Sequence, residues 1–307
     1  METVRKTIRN RCHLDNTLVR QGLAEFIGTA FLIIIGDGSV AQSVLSQETK
    51  GQFLSVNLSW GLAVAISVYI CGGVSGGHIN PAISLANYVL GNLSLIGLLV
   101  YTVAQLFGGF FGAFVVYCVY YDALNAFDNG TRQVEGAFAT AGIFSTYPQA
   151  FLGAGGGFLD QVVGTCILAT GVMAVSDEKN LKVPGFLGPI LVGLIVAAIG
   201  MTYGFNCGYA INPARDLGPR LFTLAGGWGT EVFSFRNYNW FWVPIVGPYL
   251  GALVGAWLYK LLIGLHWPNS DQQSNRNRPE STDLLQLSST YRGKIAYCGA
   301  VNDDRWL

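Results

Sequence analysis

Two stretches of this chain carry side chains able to recognise a polar molecule, and they are nearly the same stretch. Residues 75–82 read SGGHINPA and residues 208–215 read GYAINPAR. Each sets an Asn amide and a Pro behind glycine-bearing, irregular sequence, and the second adds Arg215 inside an otherwise apolar run. Amides, carbonyls and a guanidinium donate and accept hydrogen bonds without making or breaking covalent bonds, so the chemistry on offer is selection rather than reaction. One pattern points elsewhere: residues 73–77, GVSGG, fit the G-x-S-x-G turn of a serine nucleophile. A hydrolase using Ser75 needs a general base within hydrogen-bond reach. His13 and His266 lie outside or at the margin of the apolar segments, only His78 is near, and that reading leaves the second Ile-Asn-Pro-Ala without a purpose.

Asn is a preferred helix N-cap and Pro suits the first helical position, so Asn80-Pro81-Ala82 and Asn212-Pro213-Ala214 each open a helix. The runs that follow, NPAISLANYVL and NPARDLGPRLF, are 11 residues long. At 1.5 Å per residue each reaches about 16 Å, roughly half of a bilayer core. A bilayer is the expected medium, because 51% of the 307 residues are hydrophobic, only 12% are charged and 40 are glycine. The formal net charge is zero and no basic patch lies outside the tails, which excludes a nucleic-acid partner. The cysteines at 12, 71, 118, 166, 207 and 298 show no paired spacing, so neither a disulfide framework nor a metal site is expected, and no cofactor.

Six stretches can cross the hydrocarbon core, at about 22–45, 53–71, 95–121, 157–176, 184–203 and 240–265. Residues 1–20 are polar and the first apolar stretch continues at spanning length, so the first span doubles as the insertion signal. Arg5, Lys6, Arg9, Arg11 and Arg20 precede it, and Lys179 and Lys182 follow the fourth span. The loops of the other side hold little more than Lys50, Arg132 and Arg236, so both termini are expected in the cytoplasm. That orientation leaves Asn129 as the one sequon in an outside loop, a candidate N-glycosylation site, whereas Asn57 and Asn92 are chance matches.

A repeat runs through this layout. AEFIGTAFL (24–32) aligns with DQVVGTCIL (160–168), and GLAVAI (61–66) with GLIVAA (193–198). Gly61 and Gly193 each lie 19 residues before the Asn of their Asn-Pro-Ala. Three spans per half make the second half an inverted copy of the first, over about 21–121 and 157–267. The two half-helices then enter from opposite faces, each with unpaired N–H groups and the positive end of its dipole at the membrane centre. Irregular backbone at that depth must be buried or line a water-filled path. Gly76, Gly77, His78 and Ile79, with Gly208, Tyr209, Ala210 and Ile211, are therefore expected to line a pore with carbonyls pointing inward. The amides of Asn80 and Asn212 are left to donate to whatever passes, and two converging positive ends repel cations. A coupled transporter also uses inverted repeats, but acidic or cation-binding groups are not evident at the two Asn-Pro-Ala centres.

On these residues the chain resembles the aquaporin, or major intrinsic protein, superfamily, and more closely its aquaglyceroporin branch, over about 20–267. The resemblance implies an all-α membrane fold of six transmembrane helices and two half-helices. It also implies a passive channel for water and small neutral solutes, chiefly glycerol, with urea as a further candidate, in a homotetramer at the plasma membrane. It implies no enzyme activity. Carried over by spacing, the selectivity filter is Trp60, Gly200, Tyr209 and Arg215. Water-selective members resemble this pattern with Phe and His in the first two places. Gly200 in place of the His is expected to open space, leaving Trp60 and Tyr209 as an apolar corner opposite the Arg215 donors. Asp216, Arg220, Pro244 and Ile245 are similar to the glycerol-conducting branch, the alternative being a water-selective channel.

The resemblance further implies that Glu25 and its repeat mate Gln161 accept hydrogen bonds from the unwound loops. Gln161 departs from the Glu usual there, and Asp160 is a candidate to compensate. His78 either braces its loop or acts as a pH gate. Cys207 is either a mercurial-sensitive thiol or an inert buried one. Residues 1–20 form an N-terminal tail, 21–267 the channel domain, and 268–307 a polar C-terminal tail with the composition of a disordered segment.

Overall fold

The computed structural model describes Met1, Val4, Lys6, Arg11 and residues 13–268. The expectation for the C-terminal tail, together with Arg5, Arg9, Cys12 and Cys298, therefore lies outside the described residues. Among the described residues every regular element is a helix.

Six helices are long and apolar enough to cross a membrane. They are α1 (Thr17–Leu45), α2 (Phe53–Ser75), α4 (Leu95–Val119), α6 (Ala154–Ser176), α7 (Gly188–Cys207) and α10 (Val243–Leu262). Two short helices follow the Asn-Pro-Ala tripeptides, α3 (Pro81–Val89) and α8 (Pro213–Thr223). The connecting segments hold two more α-helices among the described residues, α5 (Tyr121–Asp128) and α9 (Glu231–Ser234). Beyond Leu262, the residues from Ile263 onward form a separate unit whose described part holds a 3₁₀ turn, Gly264–His266.

The ends of the long helices differ from the expected spans for local reasons. α1 starts at Thr17, five residues before the expected 22, because the Asn16 side chain accepts from the N–H groups of Leu18 and Val19. α2 and α7 run past 71 and 203 to Ser75 and Cys207, where Gly76 (φ 87°) and Gly208 (φ 74°) take the left-handed conformation that ends a helix.

The packing repeats between the halves. α1 lies against α2 and α4, and α6 lies in the same way against α7 and α10. Each short helix is seated on the third long helix of the other half, α8 on α4 and α3 on α10. The halves meet where α2 crosses α7.

Small residues make these crossings. A Cβ placed on Gly61 would lie 2.6 Å from the Gly193 carbonyl oxygen, and one on Gly193 would lie 2.4 Å from that of Gly61. The same closeness recurs in each half: Gly108 faces the Phe26 carbonyl at 2.4 Å, and Gly251 faces that of Val162 at 2.4 Å. The outward faces carry large apolar side chains, among them Leu23, Ile27 and Phe31 on α1 and Val103, Phe107 and Phe111 on α4, as lipid contact requires.

Because backbone, not a flexible side chain, would meet the added carbon, Gly193→Val should separate α2 from α7. Overpacking of this kind costs about 1–3 kcal/mol. Thermal unfolding of the detergent-solubilised protein should show a clearly lower midpoint, whereas Gly38→Ala, which meets nothing within 4 Å, should leave it in place.

Candidate functional site

The site is built where the two short helices begin. Asn80 caps α3 by accepting from the Ala82 N–H at 2.9 Å, and Asn212 caps α8 by accepting from Ala214 N–H at 3.0 Å. Pro81 and Pro213 open the helices with φ already suitable. With their carbonyl oxygens spent as caps, the two amides donate across the molecule. Asn80 Nδ2 donates to the Ile211 carbonyl at 2.9 Å and Asn212 Nδ2 to the Ile79 carbonyl at 2.8 Å. The expectation that both amides are left to donate to whatever passes is thereby narrowed. One hydrogen of each amide is tied to the opposite loop, and the other remains.

Ile79 and Ile211 both sit at φ 43°, a left-handed conformation that is unfavourable for β-branched residues. Each is gripped from both sides. The Ile79 N–H donates to Glu25 at 2.6 Å and the Ile211 N–H to the Gln161 carbonyl oxygen at 2.9 Å, while their own carbonyls take the Asn amides.

The two supports are unequal. The Glu25 carboxylate on α1 accepts from the N–H groups of His78 (2.9 Å) and Ile79, from Ser75 Oγ (2.6 Å) and from Gln105 Nε2 (2.7 Å). Gln161 on α6 accepts from one backbone N–H, and its amide donates to Cys207 Sγ at 3.1 Å and toward Asp160 at 3.5 Å. Asp160 takes Asn206 Nδ2 at 2.8 Å and the Cys207 thiol. It braces the end of α7 and does not stand in for a second loop acceptor.

A cavity of about 700 Å³ runs along α2 from Trp60 past Asn80 and Asn212 to Gly76 and beyond. Gly76, Gly77, His78 and Ile79 line it, as do Tyr209, Ala210 and Ile211. Gly208, expected with them, is not on its wall: a Cβ there would lie 3.3 Å from Thr146 Cγ2, so the residue packs against that side chain. His78 lines the cavity while its Nδ1 lies 3.1 Å from Ser84 Oγ and its ring meets Tyr101 edge-on. Ser75 Oγ donates to Glu25 and accepts from the Gly77 N–H, so the Ser–His pair a hydrolase needs is not formed.

Of the four filter positions, Trp60, Tyr209 and Arg215 line the cavity and Gly200 does not. The space that Gly200 leaves is filled. A Cβ there would lie 2.5 Å from Tyr209 Cζ and 2.4 Å from Asn57 Oδ1. The expected opening at Gly200 is corrected accordingly: the glycine makes room for the Tyr209 ring, and the ring faces the cavity. The Arg215 guanidinium stacks over Trp60 at 4.2 Å, and its Nη1 donates to the Phe144 carbonyl at 2.9 Å.

Asp216 and Arg220 sit behind this wall and tie down the segments that carry Thr146 and Val232. Arg220 Nε donates to Asp216 at 2.8 Å with both side chains fully buried. Asp216 accepts from the Thr146 N–H at 2.7 Å, and Arg220 donates to the carbonyls of Thr146 and Val232. Arg220 also lies over the Tyr147 ring at 4.7 Å, and burial pushes that phenol up to about 12, so it stays neutral. Pro244 is buried and Ile245 half-buried near the start of α10, off the cavity wall. Asn129 is exposed and caps α5 at φ 51°. Cys207 is buried against Asp160 and Gln161.

Sequence reasoning missed Gln105, Tyr101, Phe144 and Asp37. The first three carry no motif, since each reaches the site from another element. Asp37 did carry a signal, as an acid in the middle of a spanning helix.

Comparison with known proteins gives the family and the fold. The family model for the major intrinsic protein family matches residues 13–259. Aquaporin-10 of Milnesium tardigradum is 47% identical over 94% of this chain and 75% of its own length. Aquaporin-9 of Homo sapiens is 44% identical over 91% of this chain and 96% of its own length. The crystal structure of the aquaglyceroporin from Plasmodium falciparum superposes with a TM-score of 0.73 at 31% identity, covering 80% of this chain and 97% of that one.

The unequal supports have a measurable consequence. A buried donor left without an acceptor costs about 1–3 kcal/mol. Glu25→Leu strips acceptors from two backbone N–H groups and two side chains, Gln161→Leu from a single N–H, so the Glu25 variant should lose much more thermal stability in detergent. Equal losses would mean that the asymmetry carries no energetic weight.

Proposed function

The chain belongs to the major intrinsic protein family, and from that membership we propose that it is a passive multi-pass membrane channel conducting water and small neutral solutes such as glycerol. Members of this family are channels, not enzymes. The observation that carries the reading is the cavity past both Asn caps, whose wall carries the Arg215 guanidinium together with the rings of Trp60 and Tyr209. A polyol has a hydroxyl edge and a CH edge. Arg215 serves the first, Trp60 and Tyr209 the second. The remaining N–H of Asn80 and of Asn212 each donates to the molecule passing between them, and the converging positive helix ends repel cations and protons.

The residues 21–267 form the conducting domain of a homotetramer in the plasma membrane, with the residue 1–20 and 268–307 tails cytoplasmic and Asn129 open to glycosylation outside. The lysines between α6 and α7 and the small-residue helix faces support this orientation and assembly. His78, facing Glu25, Tyr101 and Ser84 from the wall of the cavity, is the pH-sensitive point. His78→Ala should flatten the pH profile of glycerol flux, and an unchanged profile would leave His78 a structural brace.

Stopped-flow light scattering on proteoliposomes tests the main reading by recording water and glycerol permeability together. Wild type should pass both. Gly200→His alone would collide with Tyr209 and Asn57, so the informative variant is Gly200→His with Tyr209→Ala, which vacates the place. It should lose glycerol permeability and keep water. A wild type that passes water and no glycerol would instead make the chain a water-selective channel.

A further inference from the structure

Asp37 lies in α1, fully buried, and neither of its carboxylate oxygens has a hydrogen-bond partner. Its Oδ1 lies 3.5 Å from Arg215 Nη1. The charged groups that face it are Arg215 and Asp216. Asp216 is already engaged by Arg220 and Thr146, which leaves Arg215 as the cation for Asp37. A buried carboxylate is tolerated when a cation neutralises it, and removing one member of such a pair leaves the other stranded.

The neighbouring residue completes the arrangement. At Gly36 a Cβ would lie 2.3 Å from Trp60 Cζ3, so the missing side chain lets the indole lie flat on α1. One step along the chain, Asp37 draws in the guanidinium that stacks on that same indole. Gly36 and Asp37 thus seat two of the filter side chains on one rigid turn. Nη1 donates to the Phe144 carbonyl and faces Asp37 at ion-pair distance, neither of which lines the cavity, and Nε and Nη2 carry the other three N–H donors of the guanidinium.

We propose that Asp37 is a positioning and specificity-determining residue: its carboxylate holds the Arg215 guanidinium back against Trp60 and so keeps the filter wide enough for a polyol. Asp37 does not line the cavity and acts through Arg215 alone. The inference rests on the channel reading above. Without its counter-charge the guanidinium keeps the Phe144 carbonyl and the Trp60 face but loses the pull toward α1, and it shifts toward the lumen. There it narrows the passage and presents an unbalanced positive charge.

Asp37→Asn preserves shape and removes charge. In proteoliposomes normalised to the amount of protein inserted, glycerol permeability should fall about fivefold or more while water falls less than about twofold, because pore width discriminates by solute size. In an Arg215→Ala background the same substitution should leave the glycerol-to-water ratio unchanged. A ratio unaltered by Asp37→Asn, or altered equally with and without Arg215, overturns the proposal. Should Asp37→Asn fail to accumulate, accumulation of the Asp37→Asn, Arg215→Ala double variant supports the pairing, and its failure overturns it. A wild type that passes no glycerol removes the glycerol-conducting reading and this inference together. A conducting wild type with an unresponsive Asp37 variant removes only the inference.

Discussion

The pair of crossed hydrogen bonds from Asn80 to the Ile211 carbonyl and from Asn212 to the Ile79 carbonyl is the interaction on which the site depends. Each Asn does two tasks with one amide. Its oxygen caps its own half-helix and its nitrogen fixes the loop leading into the other. The bonds hold two β-branched residues in a left-handed conformation that they would otherwise leave, at a cost of about 1–3 kcal/mol apiece. Only a site restrained from several directions keeps such strain. Here the restraint comes from α1 through Glu25, from α6 through Gln161 and from the opposite half through the Asn amides.

The halves repeat each other in backbone and differ in charge. The first half's loop leans on a carboxylate with four donors, the second half's on an amide with one backbone donor. The second half carries its charge instead on the filter side, in Arg215, Asp216 and Arg220, and draws Asp37 from the first half to meet it. Each of these four buried groups has an acid or a base opposite it within ion-pair distance, which is how so many ionisable side chains persist in an apolar surrounding. The consequence reaches outward. Asp216 and Arg220 pin Thr146, and the segment between α5 and α6 lays the Phe144 carbonyl against Arg215 from behind the cavity wall.

Glycine performs a separate task at each depth. At the helix crossings it brings carbonyls close enough for backbones to touch, as at Gly61 and Gly193. At Gly36 and Gly200 the missing carbon is replaced by an aromatic ring from another element, Trp60 in one case and Tyr209 in the other. The same absence of a side chain therefore builds both the scaffold and the wall of the cavity.

The sequence by itself determined the membrane class, the six spans, the repeat and the two half-helices. Composition, the 3.6-residue helix and the capping chemistry of Asn-Pro act locally and leave their mark in consecutive residues. It also bounded the site, since equal spacing from Gly61 to Asn80 and from Gly193 to Asn212 marks matched positions in both halves. What only the tertiary structure decided is which groups are left to face the cavity. Whether an Asn amide is free, whether the space at Gly200 is open and which cation Asp37 meets depend on groups 133, 9 and 178 residues away along the chain. Hydrogen bonding and steric exclusion act over a few ångströms. Sequence separation carries no record of such distances until the chain has closed on itself.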